Sequence, residues 1–598
     1  MSELRDIGFL KWSDPLAWME AMTGPRWKGV IRSEALRFQA ACKNLIDSSE
    51  KERIWKELFY ASSLEKRESS RLGKVEFTFI NQMSIEWKTD VSSLRSARDI
   101  AICNNNVWEV IDSGQGAEAY EVLYWKYGGA APVWSHKGVG PQVLVLHGRC
   151  YFLEAKKSLW YYRVVSVNAT TGGDRKIIYE EINPRWNLSL VRGEGGTAYM
   201  VRENSGLQEA FLIERVGMRN LGGQGFFVLG QGRNYLATLG RGTDNWQGHG
   251  SLAKWKLPKG TPERISVGRS LLITRSYGER SLWKCGAHEP RLILRGIYQM
   301  KFNELLDNAP IIITIPGTGR VSIQIEKEKP VIPHLPSYAL ASRRFTDGRV
   351  PYILVQRGAS SKGLLVVGYG AYGMSTQLST ARWYPLLMRG WTVVFALVRG
   401  GGDHSMAWAD AARTWRRESA LNDFEDVIRH AQAVTGCGPK QTVVYGRSAG
   451  GLLIGSLAAK YGTRLFGTVY GEVPYLDVLR TTTNPTLPLT QLEYEEFGHP
   501  AEKLVDLATL ARISPVDRIP ERGLPGLRVL LRTGENDMEV LPYEPVKWIT
   551  RARSGREDKN KLLAYSENEG HFVDGLSLLK ERATDLAILL AWQQKCEY

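Results

Sequence analysis

The chain has 598 residues and a mass of 67.2 kDa, enough for more than one domain at roughly 100–200 residues each. Hydrophobic residues make up 43% and charged residues 24%, which excludes wholesale disorder, and no run of about 18 apolar residues offers a membrane-spanning helix. The 78 Lys and Arg against 63 Asp and Glu leave a net charge of +15; no long basic block concentrates it, so it reads as a solvated basic surface rather than a nucleic-acid interface.

The charged start, Met1–Asp6, has no continuous apolar run, so no secretory leader is expected. Cys42, Cys103, Cys150, Cys285, Cys437 and Cys596 lie far apart without a C-x-x-C pair. They read as reduced thiols of a cytoplasmic protein, not as a disulfide framework or a zinc site. No metal or organic cofactor is implied, and the oligomeric state is left open.

Residues 1–70 are expected to be a helical extension, either embracing another domain or simply capping it. Trp18, Met22, Trp27, Val30 and Ile31 recur at helix-like spacing, broken at Gly24-Pro25; Leu36, Ala40, Cys42, Leu45 and Ile46 continue it, then Ile54, Trp55, Leu58 and Phe59. Residues 71–330 change texture. Short apolar or alternating runs (Val107–Ile111, Val143–Leu146, Leu188–Val191, Phe211–Ile213, Phe226–Leu229, Leu271–Thr274, Ile311–Ile315) are punctuated by Gly, Asn and Asp. That predicts an all-β sandwich, barrel or propeller, with the interleaved tryptophans filling cores. Its length would fit roughly six propeller blades of about 40–45 residues.

Residues 331–598 change again. Apolar runs at Leu364–Val367, Thr392–Val398, Thr442–Tyr445, Arg528–Leu531 and Lys561–Tyr565 alternate with amphipathic stretches such as Leu421–Val434 and Leu452–Tyr461. Strands alternating with helices predict a parallel, doubly wound sheet. Leu576, Leu579, Ala583, Leu586 and Leu590 form one face of a closing helix.

The chemistry lies in this last region. Gly446-Arg447-Ser448-Ala449-Gly450 follows a strand and opens a helix, the context that turns G-x-S-x-G into a nucleophile elbow. A serine hydroxyl needs a base. Only His499 and His571 follow Ser448; His571, between the last strand and the closing helix, sits where this fold delivers its base. Asp537, in Gly534-Glu535-Asn536-Asp537 after the strand Arg528–Leu531, is the expected orienting acid. Glu535 is its nearest rival, while Asp517 and Asp558 lie off strand ends. An oxyanion hole needs two donors. The Ala449 N–H supplies one, and the Gly-rich loop Gly368–Gly373 offers a tyrosine hydroxyl for the other.

Several ordered stretches then become specific together: Gly368-Tyr369-Gly370-Ala371-Tyr372-Gly373, Val398–Asp403, Tyr445–Gly451, Glu472–Leu479, Leu487–Thr490, Glu493–Gly498, Asn536-Asp537, Glu544–Trp548 and Gly570-His571. Over about 260 residues the chain resembles the prolyl oligopeptidase family of serine peptidases, and within it the oligopeptidase B branch. The resemblance implies an α/β-hydrolase catalytic domain, a β-propeller before it, trimmed or short of blades given its length, and N-terminal helices packing on both. Before residue 331 only Asp14–Glu20 carries it. It also implies Ser448, Asp537 and His571 as the triad and Tyr369 as the side-chain oxyanion donor. Glu493 and Glu495 would receive a basic P1 side chain. Glu539 stands where the family carries an arginine that holds substrate, so a charge is reversed there.

The expected function is that of a serine peptidase cutting short peptides through an acyl-enzyme after Arg or Lys, with the propeller excluding folded proteins. An esterase or thioesterase on the same scaffold, and a binding or structural protein that has kept a hydrolase shape, are the alternatives.

Overall fold

The structure, a computed structural model, describes residues 3–6, 11–65, 69–79, 85–114, 116–156, 159–204, 206–238, 240, 242–302, 310–326, 329–331, 337–554, 558–573 and 575–594. Cys596 lies outside them; the other five cysteines are free thiols. No described helix is long and apolar enough to cross a membrane.

Two long helices open the chain after a short hairpin, α1 (Gly24–Leu45) and α2 (Ser48–Leu64). Gly24-Pro25 starts α1 rather than interrupting it. Proline suits the first turn because its ring presets the helical φ and its missing N–H would have had no partner there. Asp47 caps α2 by accepting from Ser49 N at 2.8 Å. Ile54 and Leu58 of α2 are fully buried against the outer helix layer of the C-terminal region.

Six antiparallel sheets follow in chain order, from Ser70–Leu72 to Lys329–Val331, as a propeller-like ring. The second has seven strands. Its longest strand, Trp134–Leu146, pairs with one neighbour through its first half and with the next through its second, shifting register at Val139. The fourth sheet is trimmed to three strands. Trp87 and Trp108 are buried in sheet cores, so these rings fill the interior as the composition predicts.

The C-terminal region is built on one eight-stranded sheet: β1 (Leu340–Phe345), β2 (Pro351–Gln356), β3 (Leu364–Gly368), β4 (Thr392–Ala396), β5 (Thr442–Arg447), β6 (Thr468–Glu472), β7 (Arg528–Gly534) and β8 (Lys561–Ser566). Their order across the sheet is β1-β2-β4-β3-β5-β6-β7-β8, antiparallel at the β1–β2 edge and parallel from β4 onward. Helices α3 (Glu418–Thr435), α4 (Gly450–Tyr461) and α5 (Tyr543–Arg553) cover one face; α6 (Gly575–Gln594) and α2 cover the other. The strands are buried on both faces, which is why they read as apolar runs.

A buried charge cluster ties the N-terminus to this domain. Lys547 Nζ, fully buried, lies 2.7 Å from Asp14, 2.9 Å from Glu20 and 2.6 Å from Asp477. Three of the stretches that carried the family resemblance, Asp14–Glu20, Glu472–Leu479 and Glu544–Trp548, therefore meet at one ammonium. Among the described residues these three carboxylates are the set close enough together to hold a metal ion, and Lys547 sits among them. Burial opposes the ammonium, but the carboxylates outweigh it and hold its pKa above the ordinary lysine value. Lys547→Met strands the buried Asp14 and Asp477 and leaves Glu20 with Arg480 alone, and a loss of about 3–5 kcal/mol is expected. Urea unfolding of the two proteins measures it, and a loss near zero would show the cluster to be dispensable.

Candidate active site

The turn between β5 and α4 sets the nucleophile. Ser448 has φ of 51°, a left-handed conformation costing about 1–3 kcal/mol in a non-glycine residue. Ser448 N donates to Glu472 O at 3.0 Å and Tyr475 N to Ser448 O at 2.9 Å, pinning it. The flanking glycines are required by space. A Cβ on Gly446 would lie 2.3 Å from Gly450 O, and one on Gly450 2.5 Å from Gly368 O.

His571 reaches this elbow from the loop after β8. Its Nδ1 contacts both carboxylate oxygens of Asp537, at 3.0 and 2.9 Å, and both residues are buried. Asp537 is held in turn by the N–H groups of Glu539 (3.0 Å) and Val540 (2.8 Å). The sequence's rivals are elsewhere. His499 pairs with Glu502 and stacks on Tyr494; Glu535 accepts from Asn568 N. Asp517 accepts from Ser514 and Asp558 from Lys561.

Ser448, Ala449, Tyr369, His571, Glu493 and Glu539 all line one cavity of about 1270 Å³, walled also by α2 and by propeller residues such as Asn187 and Lys301. Tyr369 points its hydroxyl at Met374 Sδ, 3.9 Å away, a weak acceptor. Its loop is held by the Val398–Asp403 segment: Gly373 N donates to Gly400 O at 2.9 Å and Thr376 N to Asp403 Oδ1 at 2.8 Å.

The acidic segment 493–496 divides. Glu493 accepts the Tyr372 hydroxyl. Burial, reinforced by the Glu539, Glu496 and Glu544 carboxylates, pushes its pKa up to about 8. Glu496 is fully buried, paired with Arg413 (2.9 Å) and Arg417 (3.2 Å), and accepts Tyr372 N at 2.8 Å. Glu495 does not line the cavity. Tyr372, which joins Glu493 to Glu496, is a site residue that sequence reasoning left unassigned, although it sits in the loop already singled out.

Glu539 takes a position that sequence spacing did not reveal. Its Oε2 lies 3.1 Å from His571 Nε2, the nitrogen that a serine's proton must reach. Burial alone would push the imidazole pKa down, but Asp537 and Glu539 outweigh it and hold it above the ordinary histidine value. The propeller adds a third carboxylate. Its loop at Gly116 presses on the histidine loop, so that a Cβ on Gly570 would lie 1.7 Å from Gly116 O, and Arg98 covers the Phe572 ring. Burial, then the Glu539 carboxylate, pushes Glu118 up to about 8. Nothing in the sequence around Glu118 marks it as facing the site.

Residues 376–597 match the Prolyl oligopeptidase family (Peptidase_S9). The chain carries a catalytic domain of the prolyl oligopeptidase family. Its fold is similar to that of oligopeptidase B from Leishmania major, whose structure aligns with a TM-score of 0.83 at 19% identity, covering 98% of this chain and 94% of that one. Among curated relatives, "Protease 2" of Moraxella lacunata is 32% identical over 250 residues, covering 40% of this chain and 36% of the relative. "Dipeptidyl aminopeptidase BI" of Pseudoxanthomonas mexicana is 31% identical over 235 residues, covering 38% and 32%. The chain thus spans about a third of the length of the curated relatives it matches.

Proposed function

We propose that this chain is a serine peptidase that cleaves short peptides through an acyl-enzyme, after Arg or Lys. The His571–Asp537 contact beside a strained Ser448 elbow carries the proposal. Ser448 attacks the scissile carbonyl, His571 takes its proton and returns it to the leaving amine, and Asp537 orients the ring and stabilises the imidazolium. The Ala449 N–H and the Tyr369 hydroxyl receive the oxyanion. Tyr369→Phe is accordingly expected to lower kcat on the order of 10²–10³-fold, and an unchanged kcat would place the second donor elsewhere.

Glu493 is assigned to the basic P1 side chain. A carboxyl already bonded to Tyr372 inside a cavity can make a charge-assisted bond to a guanidinium or ammonium. Glu539 supplies a second carboxylate for a cationic peptide. Its hold on His571 Nε2 marks a resting state, from which an incoming cation draws the carboxylate and frees the base. The cavity's three walls admit extended peptides rather than folded proteins, and the free thiols suit the cytoplasm.

That same Glu539 contact favours a second reading, a hydrolase-shaped binding protein whose base is blocked. Substrates matched except at P1 (Arg, Lys, Pro, Phe), with an ester in the same series, separate the readings. Fast cleavage after Arg and Lys supports the proposal, preference for Pro or for the ester redirects it, and no turnover favours the binding protein.

A further inference from the structure

The cavity has a second arm with the opposite chemistry. In β5, β6 and β7, Tyr445, Tyr470 and Leu530 pack with Trp383 and with Ala583 and Leu586 of α6, so side-chain alternation puts Arg447, Glu472 and Arg532 on that same face. They stand side by side in the sheet register, Arg447 beside Glu472 and Glu472 beside Arg532. Glu493's partner Tyr372, with Tyr475 and Phe497, belongs instead to the core on the opposite face. The elbow therefore lies between an acidic arm on one side and this row on the other.

Arg382 and Arg582 complete the row, and Arg382, Arg447, Glu472, Arg532 and Arg582 all line the cavity with Ser448. Glu472 accepts from Arg382 at 2.6 Å and from the Tyr445 and Tyr470 hydroxyls at 2.9 and 2.8 Å, with Arg447 at 4.0 Å. Arg532 is neutralised from behind by Asp585 (2.5 Å) and Glu581 (2.8 Å). Four guanidiniums thus face three carboxylates, and Arg582 draws only on the shared Glu472; its Nε, like that of Arg382, is buried without a hydrogen-bond partner among the described residues. Burial and the neighbouring Arg382 push its pKa below the ordinary arginine value, and Glu472 offsets them only in part. A buried, unsatisfied donor is costly unless something fills it.

We propose that Arg582, with Arg382 and Arg447, forms a carboxylate-binding subsite on the leaving-group side of Ser448, which reads a free C-terminus or an acidic side chain just beyond the scissile bond. The ligand class follows from the donors, because guanidinium forks match carboxylates bidentately. The side follows from the proposed P1 assignment, on which this inference rests. With P1 seated at Glu493, the residues after the cut run toward the opposite arm. A peptide with a cationic centre and a nearby carboxylate would span both, making the enzyme a reader of peptide ends.

The test uses N-terminally blocked peptides with Arg before the cut and two residues after it, ending as the free acid, as the amide, or as an amide with Glu last. Wild-type kcat/KM is expected to favour a carboxylate-bearing peptide over the neutral amide by about tenfold or more. In Arg582→Gln that ratio is expected to fall below about twofold, and Arg582→Lys to restore part of it. A gain for the free acid alone assigns the subsite to the C-terminus, and an equal gain for the Glu amide extends it to side chains. A wild-type ratio near one, or a ratio unchanged in Arg582→Gln, overturns the subsite. Hydrolysis of a blocked arginyl anilide by the wild type checks the P1 reading separately, since that substrate carries no carboxylate.

Discussion

Ser448→Ala is expected to lower kcat on the order of 10⁶-fold, to the level left by binding and the oxyanion donors. The size follows from the role. Without the hydroxyl no acyl-enzyme forms, and the His571–Asp537 pair has nothing to activate. The fold should survive. The Ser448 backbone bonds to Glu472 and Tyr475 do not involve its side chain, and the close approaches at Gly446 and Gly450 are untouched. Steady-state kinetics with a thermal melt check both halves. Wild-type turnover by this variant would remove Ser448 from the mechanism.

Glu493→Gln is expected to cost an arginine substrate on the order of 10²-fold or more in kcat/KM relative to its neutral citrulline analogue. A pH series gives the same residue a signature. With its pKa near 8, the Glu493 carboxyl of the empty site is mostly protonated at neutrality, and a guanidinium binds its ionised form. The ionised fraction grows as pH rises, so the arginine-to-citrulline ratio should climb, by up to about tenfold per unit, and level off above about 8. His571 titrates identically toward both substrates and cancels from the ratio. In Glu493→Gln the ratio should be low and flat. A wild-type ratio that is flat, or that falls with pH, would contradict the assignment.

The catalytic domain was legible because its strands are buried on both faces and its elbow combines strand, tight turn and helix in one stretch. Gly24-Pro25 was misleading, since a dipeptide that breaks a helix internally also starts one. The acidic segment was legible in composition but not in geometry. The resemblance pairs Glu493 with Glu495, yet Tyr494–Phe497 is a helical turn, where residues three apart share a side. Glu496 therefore joins Glu493 around Tyr372. Glu539 on His571 Nε2, and Glu118 arriving from the propeller, depend on loop approach between segments distant in sequence, which local patterning does not encode. The basic arm was hidden for the same reason: Arg382, Arg447 and Arg582 come from three separate elements and meet only across the sheet.

The proposed mechanism depends on Ser448 being an activated nucleophile despite Glu539 at the base. Incubation of the wild-type chain with a fluorophosphonate probe, read by intact mass and peptide mapping, tests that most directly. One adduct per chain is expected on Ser448, lost in Ser448→Ala and strongly reduced when His571 is changed to alanine. A chain that stays unlabelled while folded, or is labelled equally in Ser448→Ala, would contradict it.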